Sequence, residues 1–230
     1  MNLTVAFGAL LTGVIVWALL VRRLQVRTWE VQGAPAERAA GAEDTPPAKI
    51  GLWIFLGVIT SLFGLFASAY YMRMSHSHGA VADHHQDWST VPEPRVLWIN
   101  TALLILSSIA LQWTRTDIAL GRADLTRVGM AAGGALALAF LAGQAFAWNE
   151  LASSGFVPRG DPAAAFFYML TAVHGLHLLG GLYVLGKASW RLWRPGTELI
   201  DIRLSVELCT VYWHYLLLVW IALFTLLLAT

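Results

Sequence analysis

Charge is what this 230-residue sequence has least of, with Asp, Glu, Lys and Arg together making up 13%. Soluble domains carry roughly 25%, so the chain cannot clothe a surface that faces water. Cysteine is nearly absent. Cys209 stands alone in an apolar stretch, which excludes an intrachain disulfide and any thiolate metal cluster. There is no Cys-x-x-Cys, no phosphate-binding glycine loop and no Ser/His/Asp arrangement, so the chain is not expected to carry catalysis of its own. A net charge of +1 gives no footing for nucleic acid.

What the sequence has instead is apolar length. Hydrophobic residues make up 57% of the chain. Six stretches, at about 3–21, 50–72, 96–113, 128–149, 163–187 and 206–229, can each cross the bilayer, which takes about 20 helical residues. The fold class is therefore all-α, a polytopic membrane protein with six transmembrane helices. Several of the 11 Trp fall near span ends, where amphipathic rings favour the headgroup layer. The first span has no basic residues before its apolar core and no small-residue cleavage site, so it reads as an anchor helix and not as a signal peptide.

The basic residues set the orientation. Arg22, Arg23, Arg27, Arg38 and Lys49 lie in the first connection, Arg115, Arg122 and Arg127 in the third, and Lys187, Arg191, Arg194 and Arg203 in the fifth. Only Arg73, Arg95 and Arg159 fall in the second and fourth, a split of 12 against 3. The positive-inside rule then puts both termini on the outer side of an inner membrane. Residues 1–21 form an N-terminal helix. Residues 22–49, rich in Ala, Glu, Gly and Pro, form a flexible cytoplasmic linker, and 50–230 form a five-helix core. Asp161-Pro162 supplies a helix cap followed by a first-turn proline.

Small residues allow close helix approach in lipid. Gly129 and Gly133 form a GxxxG in the fourth span, and Gly175, Gly180, Gly181 and Gly186 punctuate the fifth, so these two helices are expected to pack tightly. Ionisable groups inside the bilayer are costly and flag function. His174 and His177 share one face of the fifth span, and Glu207 and His214 share one face of the sixth. With Asn100, Gln144, Asn149 and Glu150 they are expected to form one buried polar cluster. Three readings compete for it: a structural hydrogen-bonded set, a phospholipid headgroup site, or haem held by His174 and His214 as in a b-type cytochrome. The last requires two histidines that lie at different depths. In the second connection His76, His78, His84 and His85 have spacings that can bind copper or zinc, although a wet loop of this kind usually binds nothing specific. A small transporter would need broken helices around a midplane site, and no pair of interrupted spans supplies them.

Four segments carry a resemblance. Phe166-Phe167-Tyr168-Met169-Leu170-Thr171-Ala172-Val173-His174-Gly175-Leu176-His177, running on to Gly180-Gly181, resembles the fifth-span signature of the haem–copper oxidase (cytochrome c oxidase) subunit III family. Glu207 through Val211-Tyr212-Trp213-His214-Tyr215 to Trp220 is similar to that family's last helix. Leu97-Trp98-Ile99-Asn100-Thr101 and Gly51-Leu52-Trp53-Ile54-Phe55-Leu56 match two earlier spans in the right order. The resemblance covers about 50–229.

It implies a V-shaped bundle holding phospholipid in its cleft, with His174, His177, Glu207, Trp213 and His214 as the lipid contacts. It also implies a chain that binds no haem or copper itself and packs on subunit I, with subunit II nearby. Those partners carry the metals, and this chain supports proton uptake and sustained turnover. Two departures from the family pattern stand out. No acid occurs in 51–72, where the family buries a glutamate, and Leu217 stands where an aspartate is usual. Accessory subunits of nitric-oxide reductases share the family and are the nearest rival reading.

Overall fold

The computed structural model describes residues 47–79, 95–158, 161–194 and 199–228. Five α-helices follow in order: α1 Pro47–Gly79, α2 Arg95–Ala119, α3 Ala123–Ser153, α4 Pro162–Trp193 and α5 Leu199–Leu228. Among the described residues there is no strand. All five helices are long and apolar enough to cross a membrane. The shortest, α2, has 25 residues and at about 1.5 Å per residue exceeds a hydrocarbon layer of about 30 Å.

The sequence predicts six spans; the described residues contain five, and the first predicted span (3–21) lies outside them with most of the 22–49 connection. Each observed helix overruns its apolar stretch. α2 continues past 113 to Ala119, and α5 begins at Leu199 instead of 206. Helical hydrogen bonding carries on into the headgroup layer until a breaker stops it. After α3 that breaker is Gly155, with φ of +89°, a left-handed conformation suited to glycine. The start of α4 is as the sequence predicts, since the Asp161 carboxylate accepts from Ala163 N–H at 2.9 Å with Pro162 in the first turn.

The chain divides into two compact units, Met1–Thr60 and Ser61–Thr230. The first, described from Pro47, is the opening half of α1, where the Thr60 hydroxyl donates to the Leu56 carbonyl at 2.8 Å. In the second, α2 packs on α3 and α5, and α4 packs on the same two, closing a ring of four helices. Large apolar side chains also cover the outside, such as Leu65 at 67% exposure, which suits lipid or a neighbouring apolar helix and not water.

Glycine sets the closest approaches, though not between the pair expected. Gly129, Gly133 and Gly143 on α3 face α2, the helix joined to it by a turn at Gly121 (φ +74°). A Cβ at Gly133 would come within 2.8 Å of Leu111, and at Gly129 and Gly143 it would run into Thr114 and Asn100. On α4, Gly181 faces α5, with Tyr212 at 2.8 Å and Trp213 at 3.0 Å from its hypothetical Cβ. Gly175 makes ordinary contact with Leu141 of α3, and Gly180 and Gly186 have nothing within 4 Å. The expected α3–α4 glycine seam is therefore two seams, α3 on α2 and α4 on α5. A GxxxG face states that a helix can be approached closely but does not choose the neighbour.

This difference is measurable. Gly181→Ala should cost about 1–3 kcal/mol, because buried rings must shift to admit the methyl group. Gly180→Ala, facing open space, should be neutral or gain up to about 1 kcal/mol from helix propensity. Thermal unfolding in detergent should separate the two midpoints, and equal midpoints would contradict the α4–α5 contact.

Candidate functional site

The polar residues of the spans are placed by the helix ring into two populations, one inside it and one along a single outer seam. Inside, tryptophan side chains reach across helix boundaries to hydroxyls. Trp213 Nε1 of α5 donates to Ser107 Oγ of α2 at 2.9 Å, and Ser107 in turn donates to the Gly133 carbonyl of α3 at 2.7 Å. Trp220 Nε1 donates to Thr101 Oγ1 at 3.0 Å, and Trp148 Nε1 of α3 to Thr171 Oγ1 of α4 at 3.1 Å. Asn100 Nδ2 donates to Gln144 Oε1 at 3.3 Å between α2 and α3. The Tyr168 hydroxyl meets the carbonyls of Trp148 and Phe156, and that of Tyr212 meets the carbonyl of His177.

His174 is fully buried (0% exposed). Its ring lies 5.2 Å from Trp220 and 5.8 Å from Phe140, and Phe140 stands edge-on to Trp220 at 4.8 Å. Neither ring nitrogen has a hydrogen-bond partner among the described residues. His177, half-buried, donates from Nδ1 to the Val173 carbonyl of its own helix at 2.8 Å and lies 5.7 Å from the Phe63 ring.

The outer seam runs between α2 and α5. His214 is exposed there. Its Nε2 lies 3.1 Å from Gln112 Oε1, an acceptor, so that nitrogen carries the proton, and Nδ1 accepts from the Ser108 hydroxyl. Two turns nearer the helix ends, Arg115 Nη2 pairs with Glu207 Oε1 at 3.1 Å. A cavity of about 90 Å³ opens beside this pair, lined by Arg115, Ile118, Ala119, Arg203 and Glu207. Around the same ends Arg127 pairs with Asp124 at 3.1 Å and lies over the Trp193 ring, and Arg194 lies over Trp190. Such cation–ring pairs belong to the interfacial layer.

The single polar cluster expected from the sequence is therefore split. His174 and Trp213 lie in the interior, where neither can touch a surrounding lipid. His177, Glu207 and His214 reach partly or fully to the surface. The two histidines of the haem reading do not face one binding space. His174 is boxed by Phe140 and Trp220, and both nitrogens of His214 are engaged by Ser108 and Gln112. Of the loop histidines, His76 and His78 fall in the last turns of α1 with side chains outside the description, and His84 and His85 lie outside the described residues.

Ser108, Gln112 and Arg115 are absent from the sequence-level site, although their i, i+4, i+7 spacing on α2 was a readable signal of a polar helix face. The arrangement ties the Ser108 hydroxyl to His214, whose other ring nitrogen is held by the Gln112 side-chain amide. What it can do is lock helices together and present a polar edge.

Comparison with known proteins agrees with this picture. The sequence profile described as cytochrome c oxidase subunit III matches residues 15–229. The chain is similar to the cytochrome c oxidase subunit 3 of Thermostichus vulcanus, 31% identical over 192 residues, which span 81% of this chain and 89% of that protein. It is also similar to the cytochrome bo(3) ubiquinol oxidase subunit 3 of Pseudomonas aeruginosa, 28% identical over 185 residues, spanning 76% and 81%.

An interior histidine with both nitrogens unanswered costs stability, and an apolar ring of similar shape avoids that cost. His174→Phe should therefore unfold at the same or a higher temperature in detergent, within about 1 kcal/mol of wild type. A loss of several kcal/mol would mean that the imidazole holds a ligand or a water network.

Proposed function

Because the chain belongs to the cytochrome c oxidase subunit III family, we propose that it is the non-catalytic third subunit of a proton-translocating haem–copper terminal oxidase in aerobic electron transport. It packs on subunit I, with subunit II in the same complex, and haem and copper reside in those partners. Its role is to hold the neighbouring helices and phospholipid in place, which supports proton uptake and sustained turnover.

The observation that carries this reading is the use made of the polar side chains. Ser107, Thr101, Thr171, Asn100 and Gln144 are spent in joining one helix to the next. Of the five residues for which lipid contact is implied by family resemblance, His174 and Trp213 act through packing, and His177, Glu207 and His214 are the ones able to meet lipid or a neighbouring subunit. The basic residues at the α2–α3 and α4–α5 ends, with Trp190 and Trp193 among them, support a cytoplasmic position for those ends. The C-terminus of α5 then lies on the outer side of the inner membrane.

Pull-down of the tagged chain from mild detergent should bring with it a large subunit bearing haem and copper. The complex depleted of this chain should begin turnover at a normal rate and then lose activity sooner. A chain that purifies alone, with a Soret band abolished in His174→Ala, would overturn the proposal in favour of a haem-binding cytochrome.

A further inference from the structure

The residues on the outer seam fall into register rung by rung. Ser108, Gln112 and Arg115 recur along α2 at helical spacing, and Arg203, Glu207 and His214 recur along α5. Ser108 and Gln112 engage His214, Arg115 engages Glu207, and Arg203 lines the cavity beside that pair. The seam thus runs from near the middle of both helices to their basic ends. Gln112 and His214 are exposed along it.

Lipid tails offer nothing to the amide hydrogens of the exposed Gln112. A phospholipid headgroup could meet Arg115 and Arg203 at the helix ends, but no headgroup sits at the depth of Ser108 and His214. A second copy of the chain related by a two-fold axis along the membrane normal would set Arg203 against Arg203 at one level. Among the described residues Arg203 has no carboxylate partner. The cavity beside the pair thus has two guanidiniums, Arg115 and Arg203, and the one carboxylate of Glu207 in its lining.

From this we infer that the α2–α5 seam is the face on which the chain docks against a transmembrane helix of its haem–copper partner subunit. That helix brings a hydrogen-bond acceptor to the level of Gln112 and a carboxylate, or a helix C-terminus, to the level of Arg203. This assignment rests on the oxidase reading above and names the face and the chemistry of the contact.

The test uses the intact complex purified through a tag on this chain, with a photocrosslinker at one of two exposed positions. Leu218→p-benzoylphenylalanine lies one turn from His214 on α5, at a residue 64% exposed, and Tyr183→p-benzoylphenylalanine lies on α4 at a residue 73% exposed. Irradiation should join position 218 to the haem–copper subunit, identified by mass, and position 183 should give no such adduct. In a second arm Arg203→Glu should lower partner retention in detergent on the order of tenfold, because like charge or a lost pair then faces the docking helix.

An adduct from position 218 with phospholipid only, with a second copy, or with residues 3–21 of the same chain would overturn the seam assignment. Equal capture from position 183, or undiminished retention in Arg203→Glu, would do the same. In each of those cases a haem–copper subunit still present in the preparation leaves the oxidase reading standing. Its absence removes both.

Discussion

Hydrocarbon contains no water to satisfy a polar group, and the interior of this chain answers to that constraint except at His174 and at one amide atom each of Asn100 and Gln144, which have no partner among the described residues. Backbone groups are satisfied by long uninterrupted helices. Side-chain groups within the ring have to find partners on the next helix, and three indole N–H groups do so by meeting hydroxyls of Thr101, Ser107 and Thr171. Each such bond is worth about 1 kcal/mol in a membrane protein. Its larger effect is geometric, because an indole that must meet one hydroxyl fixes both the rotation and the height of two helices.

Glycine and tryptophan work together in this. Gly133 lets Leu111 approach, which brings Ser107 to the Gly133 carbonyl and to Trp213. Gly181 admits the rings of Tyr212 and Trp213 from the opposite side of α5. One helix, α5, is thereby gripped by α2 and α4 at the same level, and its remaining face carries His214 and Glu207 outward. The interior contacts thus set the position of the outer polar edge, so damage to a glycine seam should be felt there.

Much of this was legible in the sequence. Five spans, the Asp161 cap and the basic helix ends follow from hydropathy, capping chemistry and charge. What the sequence could not convey was pairing. Gly129 and Gly133 announce a face that can be approached, yet whether α2 or α4 approaches it depends on the tight turn at Gly121, which folds α2 back along α3. The supposed cluster of His174, His177, Glu207 and His214 failed for a related reason. Sharing a helix face fixes neither depth nor the direction of that face, and His174 and His214 point to the inside and the outside of the ring. Leu217, where the family usually has an aspartate, and the acid-free stretch 51–72 are departures visible in sequence alone, and no described side chain supplies a carboxylate in their place within α1.

The central claim is that cross-helix bonds from tryptophan to hydroxyl hold the ring, and a double-mutant cycle on Trp213 and Ser107 tests it most directly. Trp213→Phe, Ser107→Ala and the double variant would be compared by detergent-induced unfolding of the purified complex. The account predicts a coupling of about 0.6–1.7 kcal/mol between the two sites. Strictly additive losses would contradict it, leaving the indole as apolar bulk and the hydrogen bond without a role in holding α2 to α5.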